Sequence, residues 1–566
     1  MSSGLLGIAT SGLLAMQRAM ATTSHNITNV NTEGYSRQRA ELAASTPQYG
    51  GSIGYLGTGV NVQAITRSYD RFVNEQVRSS TSAWGELDAY HNLVSQIDSF
   101  IADSDASLSP ALQGFFSGLN GVVNEPTSTP VRRVLMTSAE TLVNRFNTIN
   151  QTFDDLRKQA SQNLSTSIDQ VNSLASNIAS LNEKITTSPG LLSGDPPNDL
   201  LDQRDKLLND LAKQVDIQVL EQDDGSINVF IGSGQSLVMG VRSASLKVLD
   251  SAYVGADTDI ALYAPGASRY AVVTDQLTGG QLGGYRNFVD QVLDKAQNDF
   301  GRLAASLATQ FNDQHKLGYD LNGNTGIAFF KEPTVTVMGK ATNTLSPIPA
   351  TFATYGNFNT MTGDDYQVDI TATGTRITNL HTRTATDFPA ATTAGYPVIT
   401  HEGVQFDVTG AAVGDTFLVL PTRHAASDIA LDPGLSDPSM VAAARNSTAT
   451  PATPPPHGPA LSDNGNALAL LDLQNAKLLL NGRASYQEAY NGIVGEIGTL
   501  AKTAEINVTA QKNLLDNARQ RRESQAGVNL DEEAANLIQF QQAYQAAAQT
   551  VATARTTFDT LLGVLS

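Results

Sequence analysis

The chain has 566 residues, of which 41% are hydrophobic and only 16% charged, and its net charge is −19; such a length suggests about three or four domains. A surface of that sign repels phosphate backbones, so nucleic acid is not an expected partner. With no cysteines, disulfides, thiolate metal sites and cysteine nucleophiles are excluded, and no apolar run reaches the roughly 18 residues a membrane helix needs, so no membrane insertion is expected.

The first segment carries an apolar stripe through Leu6, Ala9, Leu13, Met16, Met20, Thr23, Ile27 and Val30. Its steps alternate between three and four, the spacing of a heptad seam. The segment Met1 to Met20 has no basic start, and Arg18 interrupts it. It is therefore not read as a cleaved signal peptide. Two further helical stripes follow, one through Leu87, Tyr90, Val94, Ile97 and Ile101, the other from about Ser138 to Ile185. The second slips between Ala160 and Ile168, the mark of a stutter.

From Asp216 the period changes to two: Ile217, Val219, a turn at Asp224–Gly225, then Ile227, Val229 and Ile231, which predicts a hairpin. A helix is expected from about Leu282 to Gln314. From Pro333 to Leu431 the chain is rich in Thr, Val, Gly and Pro, which predicts an all-β region. The Pro-rich stretch 448–459 reads as an extended linker. Helix then returns through Tyr490, Ile493, Ile497, Leu500, Ala504 and Leu514 to Ala518.

The last stripe includes Leu537, Tyr544, Val551, Phe558, Leu562 and Leu565. Asn529 is placed to cap this helix, and Asp531, Glu532 and Glu533 suit the positive end of its dipole. A heptad stripe needs a partner, and the simplest arrangement pairs the first helix with the last.

Chemical motifs dissolve on inspection. Gly50-Gly51-Ser52-Ile53-Gly54 has the letters of a nucleophile elbow, but no helix pattern follows. Asp320-Leu-Asn322-Gly-Asn324-Thr-Gly326 resembles the start of a calcium loop, yet Thr325 stands where glycine is needed and Lys331 where a glutamate is needed. His401–Glu402 lacks the second histidine of a zinc helix. Asp154–Asp155 reads as an exposed acidic face. Arg132–Arg133 and the Arg519, Arg521, Arg522 group read as solvated faces or contacts with acidic neighbours. The expected catalytic, cofactor and metal sites are therefore none.

Three stretches carry a resemblance. The first is Ser11-Gly-Leu-Leu-Ala-Met-Gln-Arg-Ala-Met, continuing through Asn26-Ile27-Thr28-Asn29-Val30-Asn31-Thr32-Glu33-Gly34-Tyr35-Ser36-Arg37-Gln38. It resembles the N-terminal signature of flagellar rod, hook and hook-associated proteins, and its Gly-Tyr-Ser-Arg-Gln ending resembles the hook-associated form next to the hook. The second is Pro197-Asn198-Asp199-Leu200-Leu201-Asp202-Gln203-Arg204-Asp205. The third is Gly527-Val528-Asn529-Leu530-Asp531-Glu532-Glu533, continuing through Asn536-Leu537 and Gln541-Gln542-Ala543-Tyr544.

The resemblance implies an α+β multidomain fold, in which long amphipathic N- and C-terminal helices pair as a coiled-coil stalk carrying inserted β-rich outer domains. Residues 1–80 with 525–566 would form an inner tube domain. Residues 81–216 with 282–332 and 460–524 would form a helical second layer. Residues 217–281 would be a small β subregion and 333–447 an outer β domain. It implies a structural subunit, not an enzyme, that repeats on a helical lattice at the hook–filament junction. Its partners would be further copies of itself, the hook protein, a second junction protein on the filament side and a dedicated export chaperone, with passage through the flagellar type III export channel. The alternatives from the sequence are another flagellar axial protein (a hook, distal-rod or filament subunit), a surface adhesin using the β insertion, and a hydrolase.

Overall fold

The computed structural model describes residues 2–49, 54–103, 107–190, 195–253, 258–267, 269–344, 347–352, 360–389, 398–445 and 460–565. Most of the nucleophile-elbow letters and the Pro-rich stretch 448–459 lie outside the described residues, as do the side chains of Leu562 and Leu565. Among the described residues, no helix is long and apolar enough to cross a membrane.

The helices are α1 (Ser2–Thr28), α2 (Arg71–Ile101), α3 (Ser109–Asn124), α4 (Thr129–Thr186), α5 (Asn198–Gln214), α6 (Gly280–Phe288), α7 (Asp294–His315), the short α8 (Ala425–Asp428) and α9 (Gly465–Asp472), then α10 (Tyr486–Ala526) and α11 (Leu530–Leu565). α1 packs against α11 and α2 against α10. The helix expected near 282–314 is α6 and α7 joined by one π-helical turn, Val289–Leu293. Sequence signals fix several ends. The Asp70 side chain accepts from Phe72 N and Val73 N at the start of α2. Ser485 and Glu488 form a reciprocal capping box at the start of α10.

The largest core is built by α2, α3, α4, α7 and α10. Phe115, Phe311, Phe329 and Phe330 meet in it at ring separations of 4.8 to 6.2 Å. α4 serves two cores. Its buried residues up to Ala160 belong to this first cluster. Ile168, Val171, Ala175, Ile178 and Ala179 belong to a second, shared with α5 and the strands after it. The slip in its stripe falls where the helix changes partner, so the stutter re-aims the apolar face from one core to the other.

The second core lies under two antiparallel sheets. One has strands Ile217–Glu221, Ile227–Ile231, Gln235–Met239 and Arg242–Ser243 in sequence order; the other places Asp259–Tyr263 between Ser245–Leu249 and Tyr270–Val272. The Asp224–Gly225 hairpin forms as expected, with Ile227, Val229 and Ile231 all inward. The third core joins a five-stranded sheet to a three-stranded one. The first sheet runs in the order Thr336–Gly339, Thr416–Leu420, Tyr366–Thr371, Gly374–Asn379, Ala385–Pro389. The second runs Ala350–Phe352, Val404–Asp407, Val398–His401. Tyr366, Val368, Phe406, Phe417 and Val419 fill the space between them.

Four details differ from the sequence reading. The segment carrying Ala426, Ile429, Leu435, Val441 and Ala443, expected with the outer strands, packs into the helical core. Leu514 is exposed and Leu515 buried, because the face of α10 that meets α2 follows the 504, 515, 518 row. Arg132 is 1% exposed, and its Nε donates to Pro126 O at 2.8 Å while NH1 bonds Val441 O. It is an internal tie, since a guanidinium can satisfy several carbonyls at once. Asp154 is half-buried and accepts from Gln297 Nε2 at 2.9 Å and Asn150 Nδ2 at 3.0 Å, so it bridges α4 and α7 and does not simply face water.

Candidate functional site: the terminal helix pair and its polar joint

α1 and α11 run antiparallel. Asn26 meets Glu533 at one end, and two heptads along, a Cβ on Gly12 would lie 3.8 Å from Ala547 Cβ. The buried positions of α1 are Ala9, Ala15, Ala19, Thr22, Thr23 and Asn26. On α11, Glu533 and Ala554 are buried and Leu537, Phe540, Ala543, Ala547 and Val551 are half-buried. Small residues therefore face each other and let the backbones approach.

This corrects the seam drawn from the sequence. Leu13, Met16, Met20, Ile27 and Val30 are half-buried along the flanks. Leu6, Tyr544 and Phe558 are exposed, at 42%, 36% and 49%. The expected stripe shares Ala9, Thr23, Leu537 and Val551 with the covered faces, while the fully buried places on α1 fall to small residues such as Ala15, Ala19 and Thr22 and the larger side chains lie at the edges.

At the inner end of the pair, the three motif stretches meet. Asn26 Nδ2 donates to Gln38 O at 2.9 Å and to Glu533 Oε2 at 3.0 Å. Its Oδ1 accepts from Gln38 N at 2.9 Å and Tyr35 Oη at 2.8 Å, so every hydrogen-bonding position of this 1% exposed amide is used or crowded. Arg37 Nε donates to Glu533 Oε1 at 2.7 Å, and NH2 to Glu532 Oε1 at 2.6 Å. Arg37 N donates to Ala526 O at 2.8 Å, tying the joint to the end of α10. Asn529 caps α11 through Asp531 N at 3.0 Å, while Glu532, free of capping duty, serves Arg37.

α5 supplies the third side. Ser36 N donates to Asp202 Oδ2 at 2.8 Å, and Gln38 Nε2 to Asp199 Oδ1 at 2.8 Å. Arg67 NH1 reaches Asp202 at 2.7 Å and Asp205 at 2.6 Å. Gly34 has φ +88, and a Cβ there would sit 3.3 Å from Lys206 Cβ on α5; its carbonyl accepts from Arg522 at 2.9 Å. Glycine is therefore favoured by the left-handed conformation, with only tight space left for a side chain. Asn29 closes α1, its Nδ2 donating to His25 O at 3.0 Å. Asn31 is exposed and stands outside the network.

The electrostatics follow from burial. The Tyr35 hydroxyl is pushed above its ordinary range, first by burial and then by Asp199, Asp202 and Glu533. Burial also pushes the Asp202 carboxyl up, with Arg67 and the Ser36 amide pulling the other way. Arg37 holds the exposed Glu532 carboxyl below its usual value. These groups are spent on one another, and the arrangement is that of a structural clasp. The motif stretches contain Asn26, Tyr35, Arg37, Asp202, Asp205, Glu532 and Glu533, but Arg37, Asp202 and Asp205 are given no role there, and Arg67 lies outside them. The available signal was opposite charge in the motif stretches, Arg37 against Glu532 and Glu533.

Comparison with known proteins agrees with the three stretches. A model described as "Flagellar hook-associated protein FlgK helical domain" matches residues 94–330. Two flagellar basal-body rod models match residues 519–564 and 6–35. Flagellar hook-associated protein 1 of Salmonella typhimurium is 35% identical over 99% of this chain and 100% of its own.

The chain belongs to the flagellar hook-associated protein 1 family.

The Escherichia coli member is 34% identical over 99% of this chain and all of its own. Among solved structures, the flagellar hook junction protein FlgK from Burkholderia pseudomallei superposes with a TM-score of 0.72 at 25% identity, covering 79% of this chain and 99% of that one. Membership makes this a structural protein of the bacterial flagellum. The resemblance read from the motifs thus holds over the whole chain, including the central strands that carry no recognised motif.

Proposed function

We infer that the paired terminal helices are the assembly element with which this protein builds the hook–filament junction. The junction role itself follows from full-length kinship with the hook-associated protein 1 family. One observation carries the assembly reading: α1 and α11 bury mainly small residues against one another and leave large apolar side chains in water. Leu5 is 52% exposed, Leu14 62%, Ile538 57% and Phe558 49%. An isolated helix pair gains nothing from such a surface, whereas repeated copies packed side by side would bury it.

In this reading residues 1–80 with 525–566 form the inner wall, with the helical layer and then the strand regions outside it. Leu6, Leu13, Met16, Met20, Ile27, Val30, Leu537, Tyr544, Val551, Phe558, Leu562 and Leu565 contact neighbouring copies. The hook protein lies on one side and a second junction protein on the other. The chain is exported through the flagellar channel, escorted by a chaperone. The test is complementation of a strain lacking the gene, with immuno-electron microscopy of the product. Ile538→Asp is expected to give secreted chain that fails to form a junction and releases filament subunits into the medium. A normal junction from Ile538→Asp, or labelling along the whole hook or filament, would remove the reading.

A further inference from the structure

The small-residue row raises a question of register. Ala9, Ala15 and Ala19 are the buried apolar residues of α1, and the covered face of α11 carries Ala543, Ala547 and Ala554 together with the half-buried Leu537, Phe540 and Val551. Alanines present the same shape to every alternative partner, so the alanine positions distinguish poorly between alignments a heptad apart, and Leu537, Phe540 and Val551 are only half-buried. Apolar contacts of this kind do not define one alignment; a single polar position in such a seam does.

We propose that the joint of Asn26, Arg37 and Glu533 is the register lock of the terminal helix pair. Glu533 is 2% exposed, and both its oxygens are taken: Oε1 by Arg37 at 2.7 Å and Oε2 by Asn26 at 3.0 Å. Arg37 is itself fixed through its backbone, N to Ala526 O at 2.8 Å, and its carbonyl accepts from Ser68 N at 2.7 Å. The lock is therefore anchored to the ends of α10 and of the hairpin strand Val60–Arg67, and not to α1 alone. Sliding α11 by a heptad would bring Phe540 or solvent to this point and strand the guanidinium and the carboxylate apart. Leaving either charge buried without the other is far costlier than rearranging alanines. These are positioning residues: they set which faces of α1 and α11 are presented together. The inference concerns a single protomer and stands or falls apart from the assembly reading.

The chain has no cysteines, so engineered pairs report without background. Gly12→Cys with Ala547→Cys reads the native register, since their Cβ positions are 3.8 Å apart, inside the span of a disulfide. Gly12→Cys with Ala554→Cys reads a one-heptad slip. In the otherwise unaltered monomer the first pair is expected to cross-link and the second not. In Glu533→Gln, which keeps size but removes the charge that Arg37 needs, the ratio of native to slipped cross-link should fall by about tenfold or more, with helix content by circular dichroism preserved. Asn26→Ala, which leaves the Arg37 pair in place, should give a smaller shift in the same direction, and it serves as the readout should Glu533→Gln fail to fold. An unchanged ratio in both foldable variants overturns the lock. So does loss of both cross-links together with loss of helix, which would mean the joint holds the helices together without choosing their alignment.

Discussion

Phe558→Ala separates folding from assembly. Phe558 lies near the end of α11 with 49% of its surface in water. A phenylalanine side chain offers about 200 Å², so about 100 Å² remains to be covered in an assembly. At about 25 cal/mol per Å² that is about 2.5 kcal/mol per copy, or a roughly 50- to 100-fold weaker contact. In the free protomer the same truncation stays within about 0.5 kcal/mol, the range of surface changes, and alanine's better helix propensity offsets part of it. Two measurements on one variant decide the matter: the thermal melting curve of the purified monomer, and the fraction of filament protein retained on cells. The monomer should melt within a degree or two of the parent while retention falls sharply. A strongly destabilised monomer that still supports filaments would refute the reasoning, because Phe558 would then be core of a self-contained domain.

Arg37→Ala leaves Glu533 buried without its cation and should lower monomer stability by about 3–5 kcal/mol in urea unfolding, whereas Arg39→Ala, at an exposed neighbour, should cost under about 1 kcal/mol. His315 is fully buried between two backbone groups: Nδ1 lies 2.7 Å from Ile327 O, and Nε2 accepts from Ala442 N at 2.8 Å. Burial first, then Arg132, against the pull of the Ile327 carbonyl and Asp320, hold it down to about 4 from 6.5. Between those values the unfolded chain binds the extra proton, so the neutral ring's contribution is complete above about pH 6.5 and is lost as pH falls to about 4, by up to about 3 kcal/mol. His315→Gln should flatten that part of the urea-stability profile, and equal slopes in the two proteins would contradict it. Millimolar calcium should leave the melting temperature unchanged, because Asp320 Oδ1 already accepts from Asn322 N and Asn324 N at 2.8 Å; a calcium shift abolished by Asp320→Ala would show an ion site in that turn.

Much of this protein was written locally. Periodicity located α1, α2, α4, the α6–α7 segment, α10 and α11, because a 3.6-residue repeat sustained over a 58-residue element such as α4 has no competing explanation; the shorter α3, α5 and α9 were not read from it. The stutter even marked where α4 changes cores. Period-two alternation and an Asp–Gly turn specified the Ile217–Ile231 hairpin for the same reason: register and turn chemistry are properties of adjacent residues. The motif stretches were also legible, and they identified the family. What adjacency could not decide was which partner each face meets. The α1 and α11 stripes were read by spacing, and only the close antiparallel approach at Gly12 and Ala547 shows which positions the small residues take between the helices. Arg132 and Asp154 looked like surface charges because burial of a polar group depends on partners far away in the chain, Val441 in one case and Gln297 in the other. The joint is the strongest instance. Asn26, Asp202 and Glu533 are separated by hundreds of residues, and a hydrogen bond needs its atoms within about 3 Å. Only the folded chain brings the three signatures to one point and turns them into a clasp.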